Sequence, residues 1–149
     1  ENISPREIPD RHRGYSGLSW RKADKAGKHP AMIWVTGGFP PGGIGESAWS
    51  PPDLENDQSA QQYRQAGMVM LYPTFRGCAG NPGFQETFFG EVDDILSALK
   101  YLNTVPYVDP NQFYLGGRST GGTMVLLAAA GTRWPTTREA AARTSCVRP

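Results

Sequence analysis

Residues Gly117-Arg118-Ser119-Thr120-Gly121 constrain the fold of this chain more than any other stretch. They form a Gly-x-Ser-x-Gly motif between two segments of different character. Asn111-Gln112-Phe113-Tyr114-Leu115-Gly116 reads as a short apolar strand, and Thr123 to Ala130 as an apolar helix. A sharp turn from strand to helix forces the central serine into a strained backbone conformation and lifts its hydroxyl above the sheet. Glycines are needed on both sides because a Cβ would clash there. The free N–H groups of the following helix point at the same spot and favour negative charge. Ser119 acting only as a cap for that helix is the competing reading. The glycines and the strand-to-helix junction favour a nucleophile position.

In architectures with this turn, the acid and the histidine follow the serine in the chain. After Ser119 the sequence has one carboxylate side chain, Glu139, and no histidine. His12 and His29 both lie upstream. A nucleophile site is present without the partners that usually activate it.

The rest of the chain supplies the frame. At 149 residues it makes one domain at most. Its 38% hydrophobic content is enough for a core, and 18 glycines and 13 prolines indicate many turns. Ala31-Met32-Ile33-Trp34-Val35-Thr36 is a continuous apolar run, typical of a strand buried on both faces of a parallel sheet. It runs into a loop, Gly37-Gly38-Phe39-Pro40-Pro41-Gly42-Gly43. Met68 to Tyr72, closed by Pro73, is a second such run. Tyr15 to Trp20 reads as a short edge strand. Asp57 to Ala66 reads as a helix capped by Asn56 or Asp57 and stopped by Gly67.

The clearest helix is Gly90 to Leu102, with Val92, Ile95, Leu96, Leu99 and Leu102 on one face. Glu91, Asp93 and Asp94 in its first turn complement the helix dipole, a structural rather than catalytic role. Pro106 and Pro110 punctuate the link to a third strand, Gln112 to Leu115. Strands and helices alternate, which implies right-handed crossovers and a parallel sheet in an α/β fold. Thr132 to Pro149 carries Arg133, Arg138, Arg143 and Arg148 and no strand-like run. The folded domain is therefore expected over 1–131, with a polar tail over 132–149.

Several function classes are disfavoured. A net charge of +1 gives no electrostatic case for nucleic acid or a membrane surface, and the Arg6, Arg11, His12, Arg13 cluster is smaller than a nucleic-acid stripe. No run approaches the ~20 apolar residues of a membrane span. No signal peptide is visible, and Cys78 and Cys146 are too few for a disulfide scaffold, so free thiols and a cytoplasmic location are expected. His12 and His29 have no ligand cluster around them, so no metal is expected, and His29 before Pro30 reads as a loop residue. Thr36-Gly37 with Gly43-Ile44-Gly45 faintly matches a dinucleotide-binding turn. The spacing is too long, and the prolines oppose the tight turn that phosphates require. No phosphate loop occurs either, so no cofactor is expected. Gly37-Gly38-Phe39 has a better use. The N–H of Gly38 or Phe39, together with that of Thr120, can form an oxyanion hole facing Ser119.

As a set, these segments resemble the first half of an α/β-hydrolase catalytic domain, within the prolyl oligopeptidase and dienelactone hydrolase group. Lys28 to Phe39 looks like the strand and oxyanion loop, and Ala66 to Pro73 like the next helix end and strand. Phe75-Arg76-Gly77 looks like the Arg-Gly turn after it, and Glu91-Val92-Asp93-Asp94-Ile95 like the acidic start of the next helix. Leu115 to Gly122 looks like the elbow. The likeness covers roughly residues 14–131. Thr36 stands where the family often has histidine, and Arg118 where it often has histidine or another small or neutral residue.

The resemblance implies a three-layer α/β/α parallel-sheet hydrolase fold, truncated at its C-terminal edge, with Ala31–Thr36 between the other two core strands. It implies hydrolysis of a small-molecule ester or peptide through an acyl-enzyme at Ser119, with Thr120, Gly38 and Phe39 as oxyanion donors. The alternative is an inactive fragment that acts through another chain. The uncovered sheet edge is expected to favour self-association.

Overall fold

The computed structural model describes residues 18–21, 27–38 and 59–131. The two continuous apolar runs form the centre of its sheet, as β2 (His29–Val35) and β3 (Val69–Pro73). Outside β3 lies β1 (Leu18–Arg21), and outside β2 lies β4 (Val108–Gly117). The order is β1-β3-β2-β4. β2 runs parallel to both neighbours, with Ile33 level with Leu71 on one side and Leu115 on the other. β1 pairs antiparallel with β3. β2 thus lies between the other two core strands, as the resemblance implies.

The period-two alternation of a strand sends successive side chains to opposite faces, and each face has its own cover. Ala31, Ile33 and Val35 join Val69 and Leu71 in a core closed by two helices, α2 (Phe89–Leu102) and α3 (Thr120–Gly131). Ile95, Ala98 and Leu102 come from α2, and Met124, Val125 and Ala128 from α3. Met32, Trp34, Met70 and Tyr72 form a second cluster under the short helix α1 (Gln61–Gln65). The rings of Trp34 and Tyr63 stand 6.0 Å apart there. Full burial of an Ile or Leu contributes about 1.5–3 kcal/mol, so the two layers over the central strands carry most of the apolar stabilisation. This is a three-layer α/β fold.

Boundaries differ where backbone geometry overrides pattern. The first helix begins at Gln61 rather than Asp57, because Ala60 adopts φ 49°, which a right-handed helix excludes. Ser59, just before it, is buried, and its carbonyl accepts the Tyr72 hydroxyl. Residues 56–58 lie outside the described residues. β4 starts at Val108 and contains Pro110, which an edge strand tolerates. α3 begins at Thr120, directly after the serine, rather than at Thr123. His29 is not a loop residue. It opens β2, is buried, and its N–H donates to the Tyr107 carbonyl at 2.9 Å. Residues 15–17 and the tail over 132–149 lie outside the described residues.

Candidate active site

The turn between β4 and α3 consists of Arg118 and Ser119. Ser119 is exposed and holds φ 53°, a left-handed conformation uncommon for a non-glycine residue. Its two motif glycines are required by close approach. A Cβ on Gly117 would lie 2.6 Å from the Gly121 backbone, and one on Gly121 would lie 2.2 Å from the Val35 carbonyl oxygen. Arg118 N–H donates to that same Val35 carbonyl at 3.1 Å, so the elbow is fastened to the end of β2. Gly121 N–H to the Arg118 carbonyl (2.9 Å) and Thr123 N–H to the Ser119 carbonyl (3.3 Å) start the helix.

The loop leaving β2 meets this turn. The Cβ position of Gly37 lies 3.2 Å from Ser119 Cβ and from the Arg118 carbonyl oxygen. Gly38 N–H donates to Thr120 Oγ1 at 2.7 Å, and Thr120 Oγ1 lies 3.4 Å from the Gly38 carbonyl oxygen. Ser119, Thr120, Gly37 and Gly38 therefore converge at the C-terminal ends of β2 and β4, where open α/β sheets bind ligands. Phe39 lies outside the described residues.

His29 is not brought to this point. His29 is level with Val108 at one end of the sheet, whereas Val35 is level with Gly117 at the other. At ~3.3 Å per residue, six residues along β2 put His29 about 20 Å from the elbow. His12 and Glu139 lie outside the described residues. No group of three or more His, Cys, Asp or Glu placed to hold a metal occurs among the described residues, and no helix there is long and apolar enough to cross a membrane.

A second organised loop follows β3. Arg76 Nη2 approaches Asp94 Oδ1 at 2.8 Å, its Nε lies 3.3 and 3.2 Å from the two carboxylate oxygens, and its backbone N–H donates to Oδ2 at 3.1 Å. Asp94 is 3% exposed and Arg76 20%. The hydrogen bond to Asp94 raises the guanidinium pKa further above its ordinary value, against the opposing effect of burial. Arg76 Nη1 also reaches Glu86 Oε1 at 3.3 Å at the surface. Glu91 is fully buried, and its Oε1 accepts the Glu86 N–H at 2.9 Å. Of the three acidic residues assigned to the helix dipole, Asp94 is thus mainly an ion-pair partner and Glu91 a loop anchor; Asp93 is exposed. The Arg-Gly turn and the acidic helix start were both visible in the sequence. Their pairing across 18 residues was not.

The sequence profile of the Prolyl oligopeptidase family matches residues 55–141, more than half of the chain. No curated protein matches. Solved structures do. An α/β serine hydrolase homologue from Coxiella burnetii is 15% identical with a TM-score of 0.57, covering 78% of this chain and 52% of that one. The lidless α/β serine hydrolase XC6422 from Xanthomonas campestris is 17% identical, TM-score 0.52, covering 76% and 50%. Acetyl xylan esterase 1 from a Thermoanaerobacterium species is 20% identical, TM-score 0.54, covering 76% and 39%. The likeness shows a common fold, and the chain spans about half the length of these proteins or less.

Proposed function

We propose that this chain, which belongs to the prolyl oligopeptidase family, carries the nucleophile half of a serine hydrolase site, with Ser119 as the nucleophile. The observation that carries this reading is the strained, exposed Ser119 at the β4–α3 turn, with the Gly38 loop held against it. In this reading Ser119 Oγ attacks the carbonyl of a small ester or peptide substrate. The N–H of Thr120, in the first helical turn and so without an acceptor inside the helix, stabilises the developing oxyanion together with Gly38 or Phe39 N–H. No metal or cofactor takes part, and the setting is cytoplasmic.

The step for which the described residues supply no group is removal of the serine proton. A serine hydroxyl is a poor nucleophile until a base accepts its proton. No histidine follows Ser119, and His29 sits at the far end of β2. Arg118 cannot serve, because a guanidinium stays protonated. The oxyanion donors alone give an acceleration on the order of 10³-fold over water in a protease stripped of its triad. The purified chain is therefore expected to hydrolyse p-nitrophenyl esters at trace rates at most, and because that residual activity does not pass through the serine, Ser119→Ala is expected to leave it unchanged. Robust turnover abolished by Ser119→Ala would show that a base is supplied to Ser119, and fluorophosphonate labelling that survives Ser119→Ala would remove Ser119 as the nucleophile.

The absent histidine also favours a second reading, in which the chain is inactive by itself and works through association with another. β4 has a neighbour on one side among the described residues, and Tyr114 on it is exposed. An unpaired edge of this kind templates strand pairing. Light scattering is expected to find dimers or larger species; a monodisperse monomer would count against this reading.

A further inference from the structure

We propose that the Thr120 hydroxyl occupies the Gly38 oxyanion donor while the site is empty, and that this side chain must rotate away before a substrate carbonyl can bind. The inference rests on the reading of Gly38 and Thr120 N–H as oxyanion donors. An N–H carries one hydrogen, and at 2.7 Å the Gly38 hydrogen is committed to Thr120 Oγ1. Oγ1 belongs to the residue whose own N–H is the second donor. An oxygen atom of this chain thus stands beside both groups that would hold the oxyanion.

The arrangement can be reversed cheaply. The return contact from Thr120 Oγ1 to the Gly38 carbonyl oxygen is 3.4 Å, well beyond the 2.7–2.8 Å usual for a hydroxyl donor. The hydroxyl is therefore held essentially by one bond. Threonine at a helical position divides between two χ1 wells, so a rotation of about 120° withdraws Oγ1 without strain. A neutral hydrogen bond of this kind shifts an equilibrium about fivefold. Thr120 is then a positioning residue. It satisfies the Gly38 N–H and holds the loop at the elbow, and a substrate oxygen must displace it. Gly38 adopts φ 76°, and a Cβ there would meet nothing within 4 Å, so the threonine bond rather than packing at Gly38 supplies the contact.

The test uses butyrate as a carboxylate probe of the two donors, followed by the Gly38 and Thr120 amide signals in 1H–15N NMR spectra. This readout does not depend on a reactive serine. Thr120→Val keeps the shape and removes the acceptor. It is expected to shift the Gly38 amide in the unliganded chain and to tighten butyrate binding about fivefold. Thr120→Ala, included in case valine disturbs the helix start, is expected to do the same. Thr120→Ser restores the hydroxyl and is expected to return the affinity to within twofold of the parent. Butyrate affinity unchanged or weakened in both Thr120→Val and Thr120→Ala overturns the proposal, as does the absence of any butyrate effect on the Gly38 amide. Failure of the nucleophile reading appears elsewhere, in fluorophosphonate labelling that survives Ser119→Ala.

Discussion

Two of the strand-to-helix connections, both at the C-terminal ends of the parallel strands, are built by opposite means. Between β4 and α3 the chain turns through Arg118 and Ser119 alone. That turn is held by backbone contacts so close that Gly117 and Gly121 accept no side chain. Between β3 and α2 the chain wanders through residues 74–88, and the loop is held by side chains, with Arg76 gripping Asp94 and Glu91 anchoring Glu86. A short turn leaves steric exclusion as its main means of specification. A long loop has to be pinned by specific polar bonds. The first device keeps a strained serine in place, and the second shapes a loop at the same end of the sheet.

The contrast can be broken most forcefully at Gly121. Gly121→Ala places a Cβ 2.2 Å from the Val35 carbonyl oxygen, where backbone on both sides must move. The expected loss is about 3 kcal/mol or more, read as a lower midpoint in urea unfolding. Gly131→Ala, at the end of the same helix, meets nothing within 4 Å and is expected to change stability by no more than about 1 kcal/mol. Equal effects at the two glycines would show that helix propensity, not close approach, sets the requirement.

The β3–α2 loop should divide by burial. Asp94→Ala leaves the Arg76 guanidinium, itself one-fifth exposed, without its main partner. The expected cost is about 2 kcal/mol, below the usual range for a fully buried pair because water reaches the arginine. Glu86→Gln removes the exposed arm and is expected to cost about 0.5 kcal/mol or less. Denaturation of both variants would decide the matter; a larger effect at Glu86 than at Asp94 would place the weight of the latch at the surface.

The same division explains how much the sequence disclosed. The elbow was legible because steric exclusion leaves a local trace, glycines at fixed offsets around a serine at a strand-to-helix junction. The buried strands were legible because β2 and β3 are covered on both faces and so lack polar alternation. The Arg76–Asp94 pairing was not legible, since each residue has an ordinary local explanation and only the fold joins them. The start of α1 was missed for a similar reason. Asn56 and Asp57 look like caps, but Ala60 is held in a left-handed conformation beside the buried Ser59, which no propensity scale records. Likewise His29, beside Pro30, looked like a loop residue until its register with Val108 placed it in the sheet.

The central claim is the proposal that Ser119 is a nucleophile position held ready with no base beside it among the described residues. It is tested most directly by the pH dependence of covalent labelling with a fluorophosphonate, with the adduct located by mass spectrometry. A serine assisted by imidazole gains reactivity as the histidine loses its proton near pH 6.5 and then levels off. A serine without that help depends on hydroxide. The expected result is slow labelling at Ser119 whose rate keeps rising from pH 5 to 10 with no plateau. An inflection between pH 6 and 8 followed by a plateau, or an adduct that survives Ser119→Ala, would contradict the account.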